Sequence, residues 1–247
     1  MKYYVSEESS IGTREEQQDS YYSCVSESSM LAVVCDGMGG TAGGGAASKI
    51  AVSKLKELYK IKSANENVPG FFLRTIDILD ESIVNFQKKS FETREAGTTI
   101  VAAIIEKNNL YWLSVGDSRL YIIRGNEIVQ ATRDHNFALS MEQLTETERQ
   151  EGLNEPARHN FDALISFIGV SGVKIYDINE TAFSLQYGDK ILLTTDGLTK
   201  ILTNNEIFSI LQNSSLETLI KIATQKATGS QDNTTCILIQ IQKEEEY

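Results

Sequence analysis

The order of apolar and polar positions divides the chain into strand-like and helix-like stretches. Near the N-terminus, Lys2 to Val5, Ser20 to Val25 and Met30 to Cys35 are short runs rich in Tyr, Val, Leu and Met, parted by polar, turn-forming residues, and they read as strands. After the glycine cluster at Gly37 to Gly45, the segment AASKIAVSKLKELYK puts Ile50, Leu55 and Leu58 at helical spacing. PGFFLRTIDILDESIVNFQKK repeats that period after Pro69, so two amphipathic helices in succession are predicted.

From Gly97 the period shortens. TTIVAAIIE, NLYWLSVGD and RLYIIRGNEIVQA are β-branched and aromatic runs broken at Asn108 and at Gly125-Asn126, which predicts an antiparallel meander. From about 134 to 169 the chain is polar, holds Gly152 and Pro156, and offers a helical stretch only around Glu142 to Glu151. A segment of that length with little core is usually functional, and it is read as a flap. Strands return at VKIYDINETAFSL and DKILLTT, two helices are expected between about Asn205 and Lys226, and TTCILIQIQ precedes a solvated KEEEY tail. No repeat or linker interrupts residues 1–247, so one domain of layered sheets with helices outside is expected.

Composition narrows the function classes. The formal charge is −11, from 34 acidic against 23 basic side chains, which disfavours nucleic acid and anionic membrane surfaces as partners. Cys24, Cys35 and Cys236 share no metal-ligand spacing, and the last two sit in apolar runs, so buried free thiols are expected. The N-terminal MKYYVSEESS has no apolar stretch suited to a signal peptide and no run is long enough to span a membrane, which leads to a cytoplasmic expectation. His135 and His159 are too few for a zinc site without thiolates nearby, so any metal should be held by oxygen. His135 is read as ordering its loop.

Four aspartates stand at predicted strand ends: Asp36 after MLAVVC, Asp117 after LYWLSVG, Asp196 after ILLTT, and Asp232 before the strand starting at Thr234. Each is followed by Gly, Ser or Asn, and any one alone reads as turn chemistry. Carboxylates gathered at one edge of packed sheets would repel unless a cation lay between them, and hard oxygen ligands select Mg²⁺, Mn²⁺ or Ca²⁺. Arg14 lies five residues before a further candidate ligand, Asp19, and a guanidinium grips phosphate bidentately.

Taken in order, GTREEQQDS, VVCDGMGG, AGTTIVAAII, LSVGDSRLYIIR, TRDHN, ILLTTDGLTKIL and SQDNTTCILI resemble the motif series of the protein phosphatase 2C-like, metal-dependent (PPM) serine/threonine phosphatases, bacterial type, from about Gly12 to Ile239. The resemblance implies an α+β fold, a four-layer αββα sandwich of two mainly antiparallel sheets flanked by helices, with a Mn²⁺ or Mg²⁺ site of two ions and a possible third. By motif position it implies that Asp36 bridges the paired metals, that Asp196 and Asp232 bind the first, and that the carbonyl of Gly37 binds the second. Asp19 would support the site through metal-bound waters, Asp117 would help hold a third ion near the flap, and Arg14 would hold the substrate phosphate. The implied reaction is direct attack of a metal-bound water on phosphoserine or phosphothreonine. The implied partners are phosphorylated proteins, including a serine/threonine kinase or its targets, and the chain is expected to act as a monomer.

The pattern departs from the family at Gln17 and Gln18, where asparagine and often glutamate precede the first aspartate, and at Met38, where many eukaryotic members carry histidine. Two rival readings remain. A catalytically weak relative could serve as a phosphoprotein-binding regulator, although no metal aspartate is missing. Gly37, Gly39 and Ala42 also fit the G-x-G-x-x-A dinucleotide fingerprint, but no parallel strand is predicted after the helix and Asp36 would face an incoming pyrophosphate.

Overall fold

The computed structural model describes residues 1–26, 29–89, 93–142 and 162–243. Its elements follow the chain in the order β1 (Lys2–Ser10), β2 (Ser20–Val25), β3 (Ser29–Cys35), β4 (Gly37–Met38), α1 (Gly40–Lys60), α2 (Val68–Gln87), β5 (Gly97–Thr98) and β6 (Ile100–Glu106). Then come β7 (Asn109–Val115), β8 (Arg119–Arg124), β9 (Glu127–Gln130), α3 (Phe137–Glu142), β10 (Asp177–Ile178) and β11 (Phe183–Ser184). The chain closes with β12 (Lys190–Thr194), α4 (Asp196–Thr199), α5 (Asn204–Asn213), α6 (Leu216–Lys226) and β13 (Thr234–Gln242).

One five-stranded sheet runs β1-β13-β12-β8-β9, and a six-stranded sheet runs β10-β7-β6-β3-β2 with β11 also on β7. Every paired strand is antiparallel. The period of two along each strand sorts its residues between two faces. Met30, Ala32 and Val34 of β3 meet Leu193 and Ile237 of the other sheet in the core between the sheets. Leu31, Val33 and Cys35, on the opposite face of β3, pack under Leu55, Phe71 and Leu79 of α1 and α2. Beyond the second sheet, Leu192, Cys236 and Leu238 pack under Ile207, Leu219 and Ala223 of α5 and α6. Three cores separate four layers, as expected, and burying each large aliphatic side chain contributes roughly 1.5–3 kcal/mol against exposure. Among the described residues no helix is long and apolar enough to cross a membrane.

The structure corrects several local expectations. The first strand is longer than Lys2 to Val5: β1 pairs with β13 along its whole length, from Lys2 opposite Gln242 to Ser10 opposite Thr234. The expected meander breaks at Gly116–Ser118, because β7 belongs to the six-stranded sheet and β8 to the five-stranded one. Gly116 turns this corner with φ 104, and a Cβ there would lie 2.6 Å from Thr99 Cγ2. The glycine cluster does not precede the helix; it forms the first turns of α1, from Gly40. A Cβ on Gly44 would come 2.8 Å from the backbone of Gly37, so close approach to the strand below outweighs the poor helix propensity of glycine.

VKIYDINETAFSL is not one strand. It makes two short pairings with β7, at Asp177–Ile178 and at Phe183–Ser184. Between them the Asn179 side chain accepts the Trp112 N–H at 2.6 Å and donates to the Leu110 carbonyl at 3.1 Å, replacing ladder bonds. The ends of the flap segment are pinned: Ile165 N–H donates to the His135 carbonyl, and Thr98 and Ile168 exchange backbone bonds at 3.1 and 2.8 Å. The expected helix from Glu142 to Glu151 falls largely outside the described residues. Cys35 and Cys236 are buried free thiols and Cys24 is half-buried.

Candidate active site

The ends of both sheets meet at one cavity of about 580 Å³, whose wall includes Arg14, Asp36, Gly37, Asp117, Asp196, Lys200 and Asp232. Asp36 and Asp117 leave the six-stranded sheet after β3 and β7. Asp196 follows β12 of the other sheet and Asp232 precedes β13. The turn reading of these aspartates fails at two positions, since Asp196 opens α4 and the residue after Asp36 enters the short β4 pairing with β5.

Asp36 is fixed through its backbone. Its N–H donates to Thr99 Oγ1 at 3.0 Å, and its carbonyl accepts from Thr99 N–H at 2.9 Å and Thr98 Oγ1 at 2.8 Å. Thr99 Oγ1 also shares a 2.7 Å hydrogen bond with Ser118 Oγ, next to Asp117. The threonines of AGTT therefore hold two of the carboxylates in register. His135 is fully buried; its Nδ1 accepts the Gly116 N–H at 3.1 Å and its own N–H donates to the Gly116 carbonyl at 2.9 Å. It ties its own loop, as the sequence reading expected, to the Gly116 corner that presents Asp117.

Asp19 does not line this cavity. It stands buried behind the cluster, where Thr195 Oγ1 donates to its Oδ2 at 3.0 Å. Burial, then the charges of Asp196 and Asp232, push it up to about 7 against the pull of the Thr235 and Thr195 hydroxyls. Burial and the charge of Asp196 push Asp117 up to about 7 as well, with Lys200 opposing. Asp36 is raised well above the usual carboxylate range by burial and by Asp19, Asp196, Asp117 and Asp232. Each of these carboxylates feels its neighbours' charge, and added positive charge would favour their ionised forms.

Two cations already stand in the cluster. Arg14 Nη2 donates to Asp232 Oδ2 at 2.8 Å, and Lys200 Nζ donates to Asp196 Oδ2. The Arg14 loop is held by Asn233, whose side chain accepts the Gln18 N–H and donates to the carbonyls of Ile11 and Glu16. Gln18 donates to the Gly40 carbonyl, tying the same loop to the start of α1.

Among the described residues, no three His, Cys, Asp or Glu side chains are gathered as a ready ligand shell. Yet Asp19 Oδ1 and Asp196 Oδ1 are buried without a hydrogen-bond partner. Buried, mutually repelling carboxylate oxygens of this kind fit a hard divalent cation. Met38 lines the cavity and brings no titratable group.

The site residues that sequence reasoning left without a role are Thr98, Thr99, Thr195, Asn233 and Lys200. Their signal was the run of hydroxyl and amide residues flanking the aspartates in AGTT, TTDGLTK and QDNTT, which composition alone does not separate from ordinary strand chemistry.

The sequence profile of the protein phosphatase 2C family matches residues 8–231. The serine/threonine phosphatase stp of Listeria welshimeri is 30% identical over 216 residues, covering 85% of this chain and 84% of that protein. The Streptococcus agalactiae serine/threonine phosphatase structure aligns with TM-score 0.83 and 28% identity, covering 98% of this chain and all of that one. The catalytic domain of the phosphatase PstP, solved with two manganese ions, aligns with TM-score 0.76 at 23% identity over 98% of this chain and 99% of that one, and speaks for the fold. By its motifs, its layered sheets and these relatives, the chain belongs to the protein phosphatase 2C family, as a serine/threonine phosphatase of bacterial type.

Proposed function

We propose that this chain acts in the cytoplasm as a single catalytic domain and hydrolyses phosphoserine and phosphothreonine esters of proteins with bound Mn²⁺ or Mg²⁺, two ions and a third at Asp117. In this reading Asp36, Asp196, Asp232 and the Gly37 carbonyl would hold the paired ions, Asp117 would help hold the third, and Asp19 would support the site from behind. When bound, such ions acidify water and stabilise charge on phosphoryl oxygens.

The remaining work falls to the chain. Arg14 stands half-exposed on the cavity wall, with a planar fork suited to a phosphate dianion. Water adds to phosphorus, the bond from phosphorus to the seryl or threonyl oxygen breaks, and that oxygen takes a proton. Met38 carries none, so position 38 is not its source. The observation that carries the reading is the convergence of carboxylates from both sheets on one cavity, with buried oxygens of Asp19 and Asp196 left unpartnered.

The test is phosphate release from a phosphothreonine peptide with Mn²⁺, with Mg²⁺ and with chelator. Second-layer partners of metal ligands are worth about 10- to 100-fold, so Asp196→Asn, at a direct ligand, should lose more. Metal-dependent release that survives in Asp196→Asn would remove the assignment of that ligand. Tight phosphopeptide binding without release would favour the regulator reading, which draws on the ion pairs already capping Asp196 and Asp232.

A further inference from the structure

We propose that Lys200 is a tethered counter-ion that a divalent cation must displace from Asp196, and that this residue thereby sets the metal affinity of the site. The inference rests on the reading of Asp196 as a metal ligand.

Asp196 opens α4 and Lys200 follows four residues later, the spacing that puts two side chains on one helical face. The ammonium bonds Asp196 Oδ2, while Oδ1 of the same carboxylate is buried and unpartnered. The carboxylate is the fixed member of the pair, being 8% exposed at the base of the cavity. The lysine side chain is 52% exposed, so its stem has solvent to swing into. Lys200 lines the same cavity as Asp36, Asp117 and Asp232, and its charge reaches Asp117 and Asp232 as well as its own partner.

An ammonium on Oδ2 and a divalent ion on the unpartnered Oδ1 would share one largely buried carboxylate, and like charges that close repel strongly. Metal entry at Asp196 therefore requires the Lys200 pair to open, and the free energy of that pair is subtracted from metal binding. Arg14 holds Asp232 in a comparable pair, but the functional reading gives Arg14 a second task at phosphate. No such task competes at Lys200.

The experiment is calorimetric titration of chelator-stripped protein with MnCl₂ at low salt, comparing wild type, Lys200→Gln and Lys200→Arg. A half-exposed ion pair is worth a modest amount, so Lys200→Gln should bind Mn²⁺ roughly fivefold more tightly. Lys200→Arg, which keeps the charge, should bind no more tightly than wild type, and added salt should narrow the gap to the glutamine variant. Wild type that binds Mn²⁺ with Lys200→Gln equal or weaker overturns the proposal and leaves the functional reading standing. Wild type that binds no Mn²⁺ overturns both.

Discussion

The Thr195 hydroxyl joins three segments at once: it donates to Asp19 Oδ2 at 3.0 Å and accepts the Thr235 N–H at 2.9 Å, one residue before Asp196. Thr195→Val keeps the shape and removes the donor, leaving a buried carboxylate and a backbone N–H unsatisfied. The expected loss is about 1–3 kcal/mol in urea unfolding. Thr195→Ser should stay near wild type, and a valine variant of unchanged stability would mean that water takes over both bonds.

Stability of the metal-free protein should fall as pH rises. Asp19 and Asp117 sit at about 7, chiefly through burial, whereas unfolded aspartate titrates near ~4. Between those limits the folded chain holds protons that the unfolded chain has released, so the slope of stability against pH is negative and levels off for these two near pH 7. Asp36, raised by burial and by the neighbouring aspartates, contributes with the same sign. Asp177, lowered against its own burial by His135 and Arg133, acts only below the unfolded range. Added Mn²⁺ should stabilise more as pH rises, because it displaces those protons. Melting temperatures in chelator from pH 5 to 8 check the sign, and a rise toward pH 7 would refute it.

Arg14→Ala should separate the kinetic constants. Losing a charge-assisted grip on phosphate should raise KM for a phosphopeptide roughly 10- to 100-fold with kcat little changed. Because Arg14 also caps Asp232, the same variant should not lose Mn²⁺ affinity. An unaltered KM would make Arg14 a structural cap alone.

Asp117→Ala should lower turnover roughly 10- to 100-fold while sparing the paired ions. It also removes a carboxylate raised by burial and by the charge of Asp196, so the chelated variant should melt no lower than wild type. Metal content and melting temperature together test this, and loss of both paired ions would contradict the assignment.

What could be read from sequence divides along a physical line. Asp36 and Asp196 were legible because each terminates an apolar run, and Asp232 because it shortly precedes one; the end of a run fixes the end of a strand. The crossing between sheets at Gly116 was not, because β7 and β8 have the same local pattern whether they pair with each other or with different partners. The helix was expected only after the glycine cluster at Gly37 to Gly45, because glycine disfavours helix locally, and the approach of Gly44 to Gly37 explains why it starts at Gly40. Asp19 gave no sign that it would lie behind the cluster, since depth depends on Thr195, more than a hundred residues away in sequence.

Ala32 and Ala103 face each other across β3 and β6, both buried in the core between the two sheets. Small residues there let the sheets approach, and a larger side chain at either would cost about 1–3 kcal/mol by forcing them apart. The same gap separates Asp36 and Asp117 on one sheet from Asp196 and Asp232 on the other. If these aspartates hold a cation as proposed, the bite they offer is a dependent variable of interior packing, and core substitutions that leave all four in place would shift ion preference.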